Sequence, residues 1–284
     1  MTRWSDRLAP WLFLLPALGL IIGFLAYPLG RSLYLALHKT AGPQSTVFVG
    51  FDNVRFLAQD ALFWTALGNT VLYAVVFVGL NLLIALGLAL LLEARRSRVS
   101  SLVRLLLFAP HLVGAVYAAM IAAKLFQARG TLNTALGLTH DWLRDPATAM
   151  AMIVVVALWL AVGFSVVYLQ AALQGVDRTL LEAARIDGAN AWNRFRCVTW
   201  PAIRPTVALL ALVGLIGALQ VFELPYLLAG DRVTTATLTL GLYLYQQGFE
   251  QGSLGYAAAV GWAMALIVAA ASLLLSRFQK GAWS

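Results

Sequence analysis

Charged side chains are scarce in this sequence, with twenty Lys and Arg and twelve Asp and Glu among 284 residues, and they crowd into residues 177–204. Arg178, Glu182, Arg185, Asp187, Arg194, Arg196 and Arg204 fall there, interleaved with Ala183, Ala184, Gly188 and Ala189. Both signs of charge beside small residues permit two kinds of chemistry. Glu182 can pair within its own segment with Arg178 or Arg185. Alternatively, Glu182 and Asp187 can form charge-assisted hydrogen bonds to arginines or backbone amides of a second protein, which the small residues let approach closely. Elsewhere the reactive types are dispersed. Cys197 is the only cysteine, so no disulfide within the chain, zinc cluster or Cys-x-x-Cys site can be built. His38, His111 and His140 lie far apart and lack metal-ligand spacing. No Gly-x-x-x-x-Gly-Lys-Ser/Thr string occurs, and Lys39, Lys124 and Lys280 lie outside any glycine-rich loop, so the chain holds no P-loop for nucleotide. A membrane enzyme would need His, Asp, Glu, Ser or Lys at catalytic spacing, and none is found.

One carboxylate, Glu223, interrupts an otherwise apolar stretch. In a bilayer it costs roughly 2.5 to 3.5 kcal/mol unless it faces protein or water. On a continuous helix Gln220 lies one turn before it and Tyr226 three residues after, so one face would present amide, carboxylate and phenol, a set suited to sugar hydroxyls. Pairing of Glu223 with a basic residue of another chain is the competing reading. Pro225 would loosen the helix ladder at this depth. Asn81, Tyr117 and Trp159, with Tyr73 and Gln170, are further candidates to line a path, although aromatic residues in such positions also serve as belts or packing.

These groups need elements to hold them, and the composition says which. Hydrophobic residues make up 61% of the chain, charged ones only 11%, and the mean hydropathy is +0.82. A soluble domain usually carries about a quarter of its residues as charge, so this is an all-α polytopic membrane protein. A bilayer core of about 30 Å requires roughly 20 apolar residues of helix. The uncharged intervals predict six spans, roughly 9–30, 64–92, 103–125, 148–174, 205–229 and 253–277, in one domain covering residues 1–284. The first is too long for a signal peptide and lacks a small-residue cleavage site, so a permanent helix is expected. Residues 233–249 are uncharged but rich in Thr and Gln, and are expected to connect two spans.

The net charge of +8 follows topology and not nucleic acid. With the amino terminus inside, thirteen Lys and Arg (Arg3, Arg7, Arg95, Arg96, Arg98, Arg104, Arg178, Arg185, Arg194, Arg196, Arg204, Arg277 and Lys280) face the cytoplasm. Seven face outward: Arg31, Lys39, Arg55, Lys124, Arg129, Arg144 and Arg232. Both termini are therefore expected in the cytoplasm.

The segment 177–204 is long for a turn between two spans, and extra loop length usually has a function. Asp177 is a plausible N-cap, Leu180, Leu181, Ala184 and Ile186 form an apolar stripe, and Gly188 suits a left-handed helix end. Trp192, Phe195 and Val198 recur at helical spacing up to Pro201, predicting a second amphipathic helix that stops there. Such a pair could lie on lipid head groups, with arginines on phosphates. It could equally sit in a groove of a soluble partner and pass that partner's movement to the membrane helices.

The string Glu182-Ala183-Ala184, then Asp187-Gly188-Ala189, Phe195 and Pro201, resembles the EAA signature of the permease subunits of bacterial binding-protein-dependent ABC importers, EAAxxDGAxxxxxFxxxxxP, at every defining position. Further likeness lies in Tyr27-Pro28, Asn69-Thr70, Pro110, Gly130 with Leu132-Asn133, Gly163-Phe164, Tyr168-Leu169, Gln220-Val221-Phe222 and Gly255-Tyr256-Ala257-Ala258-Ala259. The pattern is similar to the carbohydrate-uptake branch, specifically the first permease of the maltose or glycerol-phosphate type. Two positions depart: Ala229-Gly230-Asp231-Arg232 replaces a glycine-rich outer turn, and Val176-Asp177 replaces an Ile-Pro pair.

The resemblance implies the type I ABC importer permease fold. It implies a second homologous permease, two separate ATP-binding subunits that hold ATP and Mg, an extracytoplasmic substrate-binding protein and surrounding lipid. This chain itself would bind no cofactor, and the EAA residues would couple it to the ATPase. An ion-coupled secondary transporter or a channel is the alternative. Such proteins usually carry paired charges or broken helices near mid-membrane in both halves, whereas Glu223 stands alone in the sequence.

Overall fold

The computed structural model describes residues 4–40, 46–94, 98–230 and 234–280. Arg3, Arg95, Arg96, Asp231 and Arg232, which entered the charge count or the outer-turn comparison, lie outside them. Among the described residues five helical stretches are long and apolar enough to cross a bilayer: Trp11–Ala36, Ala61–Ala94, Ala149–Gln174, Ala191–Leu219 and Leu254–Arg277. The sixth is a bent pair, Val99–Val113 with Ala115–Leu136, turned through 101°. The chain divides into two units, one of residues 1–61 with 244–265, the other of 62–243 with 266–284.

In the first unit, α1 (Trp4–Ile21) passes through a π turn at Ile22–Ala26 into α2 (Tyr27–Ala36). The predicted end near residue 30 is thus overrun, because the Tyr27 N–H bonds to the Ile22 carbonyl and the widened turn falls just before Pro28. A proline cannot bond to the carbonyl four residues back and crowds it, so the turn relieves a clash that would otherwise end the helix. Side chains from Trp11 to Leu29 are exposed on all sides, the exterior expected of a helix in lipid. Strands β1 (His38–Thr40) and β2 (Thr46–Phe48) form an antiparallel hairpin, His38 opposite Phe48, and α3 (Asp52–Gln59) follows.

The second unit is built on α4 (Ala61–Ala94), α5 (Arg98–Val113), α6 (Ala115–Phe126), α7 (Thr131–Leu136) and α8 (Ala149–Gln174). Then come α9 (Arg178–Ile186), α10 (Ala191–Arg194), a π turn at Phe195–Thr199, α11 (Trp200–Leu219), α12 (Glu223–Ala229) and α13 (Leu240–Tyr245). The further π turn Gln246–Glu250 and the first part of α14 (Leu254–Lys280) belong to the first unit, and α14 from Leu266 onward to the second.

The third predicted span is corrected here: it breaks at Gly114, which has φ 79° and ψ 157° and lies four residues after Pro110. Hydropathy records the apolar run but not the loss of ladder bonds around a proline followed by a glycine able to take positive φ. Tightest packing occurs between α5 and α8, where Gly163 meets the backbone of Leu107 and Phe108.

The uncharged segment after residue 233 carries α13 and is buried from Thr237 to Leu240. Asn69 Nδ2 donates to the Thr235 and Leu238 carbonyls at 2.7 and 2.9 Å, and the Leu240 N–H donates to Thr70 Oγ1 at 2.8 Å. Asn69 and Thr70 of α4 thus satisfy backbone of this segment that would otherwise be stranded. Asn133 plays the same part after α6. Its Nδ2 donates to the Gln127, Ala128 and His140 carbonyls while Oδ1 accepts from Trp142 Nε1.

Candidate functional site

The charged segment folds as a bend with a defined cap at each turn. Asp177 Oδ1 accepts the Thr179 N–H and hydroxyl, each at 2.8 Å, and begins α9. The Thr179 backbone N–H, with its hydroxyl second, holds the Asp177 carboxyl below its ordinary pKa. At the other end the Gly188 N–H bonds to the Arg185 carbonyl and the Ala189 N–H to that of Ala184, the paired bonds of a Schellman ending. This closure needs a left-handed residue, and Gly188 has φ 77°. Asn190 then caps α10 by accepting the Asn193 N–H at 2.8 Å, and Arg194 Nη1 reaches back to the Ala189 carbonyl at 2.7 Å. The Asp-Gly-Ala string is thus a bend tied from both sides.

The second helix does not stop at Pro201. From Ala191 to Leu219 the chain is one continuous helix, joined through the π turn, whose Trp200 N–H bonds to the Phe195 carbonyl directly ahead of Pro201. The device seen before Pro28 recurs, so the predicted separate helix and a fifth span starting at 205 are replaced by a single rod. Movement of the bend is therefore movement of α11.

The predicted coupling residues divide between two faces. Glu182, Ala183, Asp187 and Gly188 are exposed, and Ala184 and Ala189 are half-buried. Among the described residues no ion pair involves Glu182, so the pairing with Arg178 or Arg185 is not formed. Phe195 points the other way, packing with Leu181, Val198 and Trp200 on a cluster that contains Leu169, Leu173, Val176 and Ile203. Pro201 lies beyond the π turn on the exposed side.

Sequence reading placed Leu180, Leu181 and Ile186 on one stripe. The structure splits it: Leu181 packs inward while Leu180, Ile186 and Trp192 are 56, 86 and 65% exposed. An apolar tip of that kind beside unpaired charge is what a protein groove would cover. Asn190, which caps the second helix, was not singled out; an Asn two residues past the glycine was the available signal.

Above this element a cavity of about 390 Å³ lies among α4, α5, α8 and α11, with Leu224 of α12 on its edge. Asn81 and Ser165 meet in it, Asn81 Nδ2 donating to Ser165 Oγ at 2.9 Å. Asn81 Oδ1 is buried and accepts nothing, although such a group costs about 1–3 kcal/mol when left unsatisfied. Tyr73, Phe77 and Phe164 supply rings, and His111 stacks on Phe164 with centroids 4.9 Å apart. Gln170, further along α8, is 1% exposed with both amide atoms unpartnered.

Of the predicted path residues Asn81 and Tyr73 line this cavity. Gln220, Glu223 and Tyr226 do not share a helical face, because α11 ends at Leu219 and α12 begins at Glu223. All three are exposed, as are Tyr117 and Trp159. Glu223 occupies the first turn of α12, where the positive end of the helix favours a carboxylate. Pro225 sits in the same first turn, where its missing N–H removes no helical bond, so it does not kink a continuous helix.

Apolar helices long enough to cross a bilayer, a mostly apolar cavity to which Asn81 and Ser165 bring polar groups, and one continuous helix running from the exposed bend to that cavity define a multi-pass membrane protein. Residues 81–281 match the family described as binding-protein-dependent transport system inner membrane component, and the chain belongs to that family. It is 36% identical to the lactose transport system permease protein LacF of Rhizobium radiobacter, over 93% of this chain and 91% of that one. It is 31% identical to the sn-glycerol-3-phosphate transport system permease protein UgpA of Agrobacterium fabrum, over 96% and 95%. The crystal structure of a bacterial ABC transporter that imports the acidic polysaccharide alginate superposes with a TM-score of 0.83 at 26% identity, covering 98% of both chains. A second alginate transporter structure, bound to a periplasmic protein carrying alginate pentasaccharide, has a TM-score of 0.84 at 24% identity, covering 97% of this chain and 96% of that one. The protein is a multi-pass membrane permease subunit of a binding-protein-dependent importer.

Proposed function

We propose that this chain pairs with a second homologous permease to form the path of a sugar, that two separate ATP-binding subunits seat on the bend at 177–204, and that an extracytoplasmic binding protein delivers the solute. The observation that carries the reading is the pairing of exposed Leu180, Ile186 and Trp192 with core-anchored Leu181 and Phe195 in one capped element. A force applied to the exposed side reaches the cavity through the continuous helix Ala191–Leu219. Glu182 and Asp187 meet donors of the ATPase, and Ala183, Ala184 and Ala189 allow its backbone close.

ATP and Mg belong to the partner subunits, and hydrolysis is their reaction. Thirteen of twenty Lys and Arg on the bend side support both termini in the cytoplasm. In the membrane the Asn81 acceptor, the Ser165 hydroxyl and the surrounding rings suit a neutral hydroxylated ring, and the lactose permease relative supports that class. Gln220, Glu223, Tyr226, Tyr117 and Trp159 are exposed on this chain alone, and we place them on the side that the second permease closes.

Co-purification tests this reading. An ATP-binding subunit is expected to stay bound to the tagged wild-type chain and to be lost from Ile186→Asp, whose membrane content is unchanged. Sugar uptake driven by an ion gradient and indifferent to ATP would overturn the reading.

A further inference from the structure

A different cavity, of about 550 Å³, opens in the first unit between the β hairpin, α3 and the segment leading into α14. Its volume lies within the range of roughly 300–1,000 Å³ typical of small-molecule sites. Three amides reach it, from Asn53, Gln247 and Gln251. Asn53 donates both its amide hydrogens, to the Ala36 carbonyl at 2.8 Å and the His38 carbonyl at 3.0 Å, which leaves its Oδ1 as an acceptor held in fixed position. The two glutamines come from one closed turn. There the Ser253 N–H bonds to the Gln247 carbonyl at 2.8 Å and the Gln251 N–H to the Gln246 carbonyl at 2.9 Å. Among the described residues the side-chain amides of Gln247 and Gln251 form no hydrogen bond, so two donors and an acceptor on each remain available.

The aromatic wall is also set in advance. Tyr256 donates its hydroxyl to Asp60 Oδ2 at 2.6 Å, and Phe56 packs edge-on against the Tyr256 ring with centroids 5.0 Å apart. Phe56 remains 60% exposed. Lys39 and Asp52 bring one charge of each sign to the lining, so the cavity selects neither anion nor cation. Free amides beside an open ring face, without net charge, match a polyhydroxylated ring: the amides bridge neighbouring hydroxyls while the C–H face lies on the aromatic. An apolar ligand would leave those amides unsatisfied, at a cost.

We infer that this cavity is a second saccharide site of the chain, built by residues separate from those around Asn81, which takes a neutral sugar ring or the end of an oligosaccharide. The inference rests on the permease reading only in taking a sugar as the solute. The test uses the full-length chain with its co-expressed partners in lipid nanodiscs, titrated calorimetrically with lactose, maltotriose and arabinotriose and followed by amide hydrogen exchange. At least one of these is expected to protect residues 52–59 and 246–256. The double change Gln247→Ala, Gln251→Ala should weaken that binding about tenfold, as expected when one or two side-chain hydrogen bonds are lost, and leave the melting temperature in place. Asn81→Ala should leave the protection of these segments intact. Absence of protection with all the saccharides, binding undiminished in the double variant, or protection confined to the helices around Asn81 overturns the site. Any of these, in an importer that still couples ATP hydrolysis to uptake, leaves the permease reading standing.

Discussion

Replacing Gly188 by proline is expected to leave the protein inserted in the membrane but to lower ATP-driven uptake roughly tenfold or more, a loss of about 1.4 kcal/mol or greater in coupling. The reason is local. Gly188 holds φ 77°, whereas the proline ring fixes φ near −65° and removes the N–H that bonds to the Arg185 carbonyl. The turn between α9 and α10 cannot then close, and the apolar tip at Leu180 and Ile186 loses its position relative to the rod that begins at Ala191. The membrane-crossing helices contain none of the altered contacts, so insertion and expression should stay near wild type. The check is sugar uptake and ATPase stimulation in reconstituted vesicles at equal permease content; unimpaired uptake by the variant would remove the bend from the mechanism.

A second large effect is expected at Gly163→Leu. A methyl group at this position would already overlap the Leu107 carbonyl and lie 2.8 Å from Phe108 Cα, both of them backbone on α5 that cannot swing aside as a side chain does. Overpacking of this kind costs about 3 kcal/mol at the upper end of the usual range. In a chain of this size that is a fall in melting temperature of roughly 6–12 °C. Differential scanning fluorimetry of the detergent-solubilised variant measures it. An unchanged melting temperature would mean that α5 and α8 do not approach as closely as described.

These cases also mark what could be read before folding. The helix at 178–186 was legible at both ends because its caps are local: Asp177 bonds two residues on, and the ending at Gly188 spans five. Membrane spans were legible because the absence of charge over some twenty residues is a strong signal. Backbone continuity was not. Charge and hydropathy gave no sign that the third span bends at Gly114, since that break does not change polarity, and at the fifth span's end Gln220 and Glu223 were read as a binding face instead of a break. The rule that helices stop before proline misled at Pro201, where a π turn absorbs the clash, while the first span's end near residue 30, set by the charge at Arg31, fell short of Ala36. The Leu180, Leu181 and Ile186 stripe was found, but which members face the bundle depends on Val176 and Ile203, contacts that periodicity cannot see. Asn81 was found as a polar residue in an apolar run, whereas its partner Ser165 lies 84 residues away and carries no signal of its own. The face drawn through Gln220, Glu223 and Tyr226 failed because it assumed an unbroken helix. Much of the wider family likeness, such as Asn69-Thr70, Asn133 and Gly163, organises backbone and packing.

The central claim, that the exposed bend at 177–204 seats on another protein chain, is tested most directly by placing a photoreactive benzophenone amino acid at position 186 and irradiating intact membranes in which the importer is active. The account predicts an adduct between this chain and an ATP-binding subunit that changes in yield when nucleotide is bound. Adducts with lipid alone, in membranes that still take up sugar, would contradict it.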